Sequence, residues 1–338
     1  MAVHEEMAAR EATSAEERLI ARYFRPLATH PGALGLADDA ATLTPPPGCD
    51  LVLTTDGVIA GVHFFPDDPP GTIGRKVLRM NLSDLAAKGA KPVGFLMSVA
   101  LPASIEESWL AAFAAGVGED AEHYGCPLLG GDTDRTPGPI SVSVAAFGSV
   151  PQGKMVRRST AKPGDCLVVT GTIGDAALGV LLRRDPGLAD RLRLNEAMRA
   201  HLLQRYLLPE PRNALAGAVL QHASAAMDVS DGLAGDLAKL CRASSVAAEV
   251  DVACVPLSYA VRAALAADPV LLETALTGGD DYEIVLTLSP QKHDAFHAAA
   301  RAAGVATAEI GQVTAGEGVS FVRDGSPLGL AHPSYSHF

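Results

Sequence analysis

Aspartate recurs in this sequence inside short motifs, several times directly beside glycine. Asp38 and Asp39 lie in "GLADDAA", Asp56 in "TTDG", Asp84 in "NLSDLAAKGA", Asp132 in "GGDTD", Asp228 and Asp231 in "DVSDG", and Asp280 and Asp281 in "GGDDYE". Any one of these reads as an ordinary turn or helix cap. As a set they read otherwise, because the motifs follow apolar strands or sit beside helix starts, and strands of one sheet deliver their ends to one place. Carboxylates gathered there repel one another unless cations sit among them. Hard oxygen donors at that density suit magnesium (Mg2+), which keeps some waters and takes its other ligands from carboxylates and phosphates. Thr54 and Thr55 add oxygen donors beside Asp56. The chemistry implied is the handling of a polyphosphate through metal ions.

Other devices for phosphate or covalent chemistry are weak or missing. "GSVPQGK" (148–154) has part of the P-loop spacing, but Met155 stands where Ser or Thr is needed and Pro151 interrupts the loop. "TGTIGDAALG" (170–179) combines a strand, a glycine turn and a helix start, which holds phosphate in some α/β proteins and only connects elements in others. There is no G-x-S-x-G, no cysteine with a local histidine signature and no protein-kinase catalytic loop. Direct phosphoryl transfer requires none of them, since positioning and charge neutralisation carry that reaction. No catalytic nucleophile or general base is assigned.

The elements that must position these motifs follow from hydrophobic period and caps. Residues 1–13 read as a frayed Ala/Glu-rich lead, and Ser14 with Glu17 forms a capping box for a short helix. The spacing predicts strands at 51–56, 93–101 and 140–148, and helices at 72–88, ended by Gly89, and at 105–123. Pro and Gly density rises over 149–165, which marks a boundary between a domain of residues 1–150 and one of residues 151–338. In the second domain, strands are expected at 166–171, 246–251, 283–288 and 319–323. Helices are expected near 174–184, 195–206, 212–222, 231–243, 258–267 and 291–303. Mixed strands and helices in both halves give an α/β (α+β) fold class with two domains.

A formal net charge of -12 opposes nucleic acid and anionic membrane as partners, since neither would be neutralised. The cysteines, Cys49, Cys126, Cys166, Cys241 and Cys254, are widely spaced with no C-x-x-C pair, which reads as reduced, mostly buried thiols. With no long apolar run and no basic start to the chain, a soluble, cytoplasmic protein is expected.

Eight segments in order, "GLADDAATL", "TTDGVIAGVHF", "NLSDLAAKGAKP", "GGDTDR", "RRSTAKPGDCLVVTG", "DVSDGLAGDL", "GGDDYEI" and the terminal "SYSHF", resemble the thiamine-monophosphate kinases, within the superfamily of aminoimidazole ribonucleotide synthetase. The resemblance implies a two-domain fold of that superfamily. Its N-terminal ATP- and magnesium-binding domain pairs with a partner's to close an intersubunit β-barrel in a homodimer. Its C-terminal domain is α/β, and ATP lies in a cleft between the domains.

By motif position, Asp39, Thr54, Thr55, Asp56, Asp84, Asp132, Asp228 and Asp231 resemble the family's magnesium set. Gly131, Asp132, Arg158 and Ser230 resemble its ATP contacts. His63, Asp280 and Tyr335 fall where the family holds thiamine phosphate. Two residues depart from the family pattern: Ala37 stands where glycine is usual, and Asp280 where glutamate is. The expected activity is ATP-dependent phosphorylation of thiamine phosphate to thiamine diphosphate, by in-line transfer with no phosphoenzyme. The alternatives are another ATP-dependent synthetase of the superfamily, or a non-catalytic cation-binding protein. Against selenophosphate synthetase, no cysteine precedes "GLADDAA"; against a hydrogenase-maturation dehydratase, the sequence lacks that protein's terminal cysteine.

Overall fold

The computed structural model describes residues 14–330, so the lead at 1–13 and Tyr335 with the rest of "SYSHF" lie outside the described residues. In chain order the main elements are α1 (Ala15–Leu19), β1 (Cys49–Ile59), α2 (Pro70–Ala87), β2 (Lys91–Leu101), α3 (Glu107–His123), β3 (Leu128–Arg135) and β4 (Ser141–Pro151). There follow β5 (Cys166–Thr170), α4 (Asp175–Arg184), α5 (Leu188–Arg191), α6 (Glu196–Leu207), α7 (Ala216–His222), β6 (Ala223–Val229), α8 (Leu233–Ser244) and β7 (Ala247–Asp251). The chain ends with α9 (Tyr259–Ala267), α10 (Leu271–Thr277), β8 (Glu283–Leu288), α11 (His293–Ala302), β9 (Thr307–Thr314), β10 (Gly318–Arg323) and β11 (Ser326–Pro327).

Contacts divide the chain into two compact units, and the division is not linear. The first contains the residues up to Pro47, Leu53–Asn81 and Pro92–Gly148; the second contains Gly48–Val52, Leu82–Lys91 and the chain from Ser149. The end of α2, with Asp84 and Lys88, therefore groups with the later part of the sequence.

The first unit is built on a four-stranded sheet of order β1-β4-β2-β3, in which β2 and β3 run parallel. Alternate residues Val58, Met97, Val99, Val142, Val144 and Ala146 are buried, as period-2 patterning requires. The intervening positions leave Leu53 66% exposed, with Leu96 and Ile59 also open. Helices α2 and α3 approach very closely: a side chain added at Gly116 would meet the Gly71 carbonyl oxygen at 2.1 Å. An ion pair locks the same contact. Arg79 donates to buried Asp120 through Nε (2.5 Å) and Nη2 (3.0 Å), and Arg75 Nε adds a bond of 3.1 Å. The Ser14 capping box forms as expected, with Glu17 N–H donating to Ser14 Oγ and Ser14 N–H to Glu17 Oε2.

The second unit holds a seven-stranded sheet of order β11-β10-β7-β9-β5-β8-β6, with β10 and β7 parallel and the other pairs antiparallel. All six residues of β8 are buried, so both faces of the sheet are covered. Leu167 and Val169 of β5 belong to a core with Leu233, Leu237 and Leu240 of α8. Val168 between them faces a second core with Val219 of α7 and Phe296 of α11. Burying each such side chain contributes about 1.5–3 kcal/mol.

Strands β3, β6 and β9 and the short helices α5 and α10 go beyond the sequence expectation. "LLGGDTDR" loses its apolar signal after two residues, and the alanines of "ASAAMDV" favour helix over strand. All five cysteines are free thiols as expected, although only Cys126 and Cys241 are buried and Cys254 is exposed. Among the described residues, no helix is long and apolar enough to cross a membrane.

Removing one partner of a buried charge pair strands the other. Asp120→Ala should therefore lower the unfolding free energy by about 3–5 kcal/mol, measured by urea denaturation. A loss under about 1 kcal/mol would mean that the α2–α3 contact does not depend on the pair.

Candidate active site

One cleft of about 430 Å³ in the second unit is lined by Asp84 and Lys88 from the end of α2, Arg157, Arg158 and Ser159 from the segment after β4, and Asp228 from β6. Asp84 and Lys88 are one helical turn apart, since Lys88 N–H donates to the Asp84 carbonyl at 3.1 Å, and so share a face. The Lys88 ammonium donates to the Ala226 carbonyl of β6 at 2.8 Å. Backbone contacts also pin the arginine segment to β6: Ala226 N–H donates to Arg157 O (3.3 Å), and Thr160 Oγ1 donates to Ser224 O (2.6 Å). Ser244 Oγ of α8 donates to Arg158 O at 2.9 Å.

Two acids, Asp84 and Asp228, line this cleft together with three bases, Lys88, Arg157 and Arg158. Asp228 is 7% exposed, and burial first, then the Asp84 and Asp236 charges, push its carboxyl well above the usual carboxylate range. Lys88 is pulled below its ordinary value by burial, opposed by the attraction of Asp228 and Asp84. The cleft thus offers carboxylate oxygens to a cation and fixed positive charge to an anion. Among the described residues, no three His, Cys, Asp or Glu side chains form a group that could hold a metal ion on their own.

The "DVSDG" and "GGDDYE" motifs form adjoining loops in the same unit. Asp280 N–H donates to Ser230 O (2.9 Å) and Tyr282 N–H to Val229 O (2.8 Å), so Ser230 and Asp280 are tied through the backbone. Asp231 forms an ion pair with Lys239, which also holds Asp236 at 2.8 Å. Asp236 in turn accepts from Ser230 N–H (2.9 Å) and Asp231 N–H (2.8 Å). Asp281 is fully buried and accepts from Gly174 N–H (2.7 Å) and Ala176 N–H (3.3 Å) at the start of α4, while Arg205 Nη2 donates to its carbonyl at 3.1 Å. The glycine turn at 170–179 thus already has an internal carboxyl as acceptor at its helix start. Lys88, Asp236, Lys239 and Arg205 were not assigned from sequence. Lys88 was legible only as part of a polar helix face, and Asp236 only as an acid in the first turn of a helix.

The remaining candidates belong to the first unit. Asp56 lies within β1, and its N–H donates to Asn81 Oδ1 at 3.1 Å; Thr55 Oγ1 donates to Val144 O at 3.0 Å. Asp132 lies within β3 opposite Ser98, exposed, with its Oδ1 accepting from Thr133 N–H. Asp56 lies in a strand and Asp84 in the last turn of a helix, within the elements expected at 51–56 and 72–88, whereas Asp132 lies in a strand that was not expected. Gly131 is opposite Met97, whose carbonyl oxygen would sit 1.9 Å from an added Cβ, so strand pairing alone requires glycine there. His63 Nδ1 accepts from Ile59 N–H at 3.1 Å, and Asp39 is exposed beyond the turn at Pro31–Leu36.

Residues 37–150 match the AIR synthase related protein N-terminal domain, and residues 162–324 match the C-terminal domain of the same group. A thiamine-monophosphate kinase of Caulobacter vibrioides is 45% identical over 93% of this chain and 89% of its own length. The chain belongs to the thiamine-monophosphate kinase family. The structure of a thiamine-monophosphate kinase from Stenotrophomonas maltophilia superposes with a TM-score of 0.81 at 39% identity, covering 94% of this chain and 98% of that one. AaThiL complexed with AMPPCP and TMP superposes at 0.74 with 32% identity, covering 89% and 91%.

The two departures from the thiamine-monophosphate kinase pattern are locally accommodated. Ala37 has φ -108°, so no left-handed conformation is asked of it; the positive φ values fall on Leu34, Gly35 and Leu36. Asp280 has φ 72°, a region where aspartate is better tolerated than longer side chains.

Burial raises the Asp281 carboxyl well above its ordinary range in the folded chain. Between the unfolded and folded pKa values the folded state binds the extra proton, so this residue's contribution to stability falls as pH rises through that window. Asp281→Asn does not titrate there. The stability of the wild-type chain relative to Asp281→Asn, from urea melts at stepped pH, should fall from about pH 4 upward toward neutral. A pH-independent difference would show that Asp281 is charged throughout. Asp281→Ala should cost about 1–3 kcal/mol for each backbone N–H left unpaired.

Proposed function

We propose that this chain transfers the γ-phosphoryl group of ATP to thiamine phosphate, giving thiamine diphosphate, with several magnesium ions held among its aspartates. The observation that carries the reading is the cleft in which Asp84, Lys88, Arg158 and Asp228 face one volume, in a chain whose relatives are thiamine-monophosphate kinases and one of whose structural neighbours binds AMPPCP and TMP. The donor set fits magnesium: two hard carboxylates meet, and the charge on one of them is disfavoured by burial and by the other. Bound there, magnesium would offset the charge of the phosphates. The reading extends to Asp39, Thr54, Thr55, Asp56, Asp132 and Asp231 as further oxygen donors, on the strength of their motifs.

The residues of the chain then act by positioning. Arg158 faces the cleft and supplies a cation for nucleotide phosphate, while its backbone is held by Ser244. Ser230 and Asp280 belong to joined loops, so a nucleotide contact on one fixes the place of the acceptor on the other. A phosphate oxygen of thiamine phosphate attacks the γ-phosphorus, forming one P–O bond as the bond to ADP breaks. That oxygen is already largely ionised near neutral pH, with a second pKa of about 6, so no strong base is needed. His63 and Tyr335 complete the acceptor site in this reading.

We assign residues 1–150 to ATP and magnesium binding and dimerisation and residues 151–338 to the C-terminal domain. The open apolar face of the first sheet, with Leu53, Ile59 and Leu96, supports a homodimer, since such a face is ordinarily covered. The free thiols suit the reducing cytoplasm.

The test is a coupled assay with ATP, magnesium and a panel of acceptors including thiamine phosphate, aminoimidazole ribonucleotide precursors and selenide. Turnover should require thiamine phosphate; turnover with another acceptor alone would select a different member of the superfamily. Asp84→Asn should lower kcat by more than about 100-fold with cooperative thermal unfolding retained. Asp280→Ala should raise the KM for thiamine phosphate more than about tenfold with a smaller change for ATP, and equal KM values for the variant and the parent would move the acceptor elsewhere.

A further inference from the structure

The charge balance of the cleft contains a component that its magnesium chemistry does not use. Lys88 is carried on the same helical face as Asp84, one turn later, and its ammonium is anchored on the Ala226 carbonyl at 2.8 Å. From that position it attracts both Asp228 and Asp84 and is repelled by Arg158. All four side chains line one cleft. The anchor matters because a surface lysine can swing into water, whereas an ammonium bonded to the backbone of β6 stays beside the acids.

We infer that Lys88 is a built-in counter-ion for the Asp84 and Asp228 carboxylates, one that stands in for metal charge in the nucleotide-free protein and weakens the binding of divalent metal to that pair. The inference rests on the metal reading of Asp84 and Asp228 given above. A divalent ion that approaches the pair meets the attraction of two carboxylates and the repulsion of a fixed positive charge that cannot leave without breaking its bond to Ala226. Coulomb repulsion by a unit charge on a doubly charged ion is large enough to matter even in a partly wet site. Nucleotide reverses the balance, because the phosphates add negative charge that both Lys88 and the metal can face. The protein would thus take its metal mainly with the nucleotide.

The experiment measures Mn2+ binding to nucleotide-free protein by isothermal titration calorimetry, with no turnover required. Lys88→Gln keeps a hydrogen-bond donor and removes the charge; Lys88→Arg keeps the charge. The glutamine variant should bind Mn2+ about tenfold more tightly than the parent, and the arginine variant within about twofold of it. Lys88→Met provides the same charge removal if the glutamine variant does not fold, as judged by circular dichroism. An affinity in Lys88→Gln equal to or weaker than the parent's, with binding lost in Asp84→Asn, overturns the role of Lys88 and leaves the metal reading standing. Mn2+ binding that Asp84→Asn does not alter, or no binding in any variant, overturns both.

Discussion

Two carboxylates that face one small volume set the terms for everything around them. Asp84 comes from the end of a helix and Asp228 from the end of a strand, and both line the same cleft. At such separations the repulsion of like charges is reduced little by solvent when one of the acids is buried, and burial further disfavours its ionised form. The surrounding structure supplies fixed compensation. Lys88 is bonded to β6, and the segment that carries Arg157 and Arg158 into the cleft lining is pinned by its own backbone to the same strand.

The other buried acids of the chain show what a carboxylate looks like when the fold has finished with it. Asp120 takes three bonds from Arg75 and Arg79, Asp281 accepts two backbone N–H groups at a helix start, and Asp236 accepts two more while paired with Lys239. Glu283 is held by Arg205, Arg212 and Thr170. In each case the acceptor capacity is filled by the protein, which is how a buried charge becomes structural. Asp84 and Asp228 differ in facing a cavity large enough for ligand. Burial alone does not separate the two groups; what the open side of each carboxylate meets does.

The sequence legibility of these groups follows the same physics. Helices 72–88 and 105–123 and strands 93–101 and 140–148 were readable because their apolar residues recur at one period and their ends carry caps or glycines. β6 was not, since its alanines favour helix and its pairing with β8 is decided by partners distant in sequence. Its absence from the expectation hid the fact that Asp228 ends a strand. The motif aspartates were legible as a set through their density, and Asp84, Arg158 and Asp228 do line one cleft. Asp281 could not be separated from Asp280 by type or spacing. Only the geometry divides them, with one pointing to the start of α4 and the other on a left-handed residue of the loop. Lys88 was visible as polar, but its tether to Ala226 spans 138 residues of sequence and no local pattern encodes it.

A polyphosphate can be met by fixed cations or by mobile ones, and in the proposed reading this chain, at a net charge of -12, uses both. Fixed cations are present whether or not ligand is bound and so help the folded chain tolerate its own acids. Mobile cations arrive with ligand and contribute charge only when there are phosphates to neutralise. A cleft made of carboxylates alone would be costly, because burial and the Asp84 charge both disfavour the ionised form of Asp228. A cleft made of basic residues alone would lack donors for metal. In the proposed reading, an acid pair set beside a tethered ammonium and two arginines keeps oxygen donors for a metal while the fixed cations offset the acids, and the hydrogen bond from Lys88 to Ala226 is what holds that ammonium beside them.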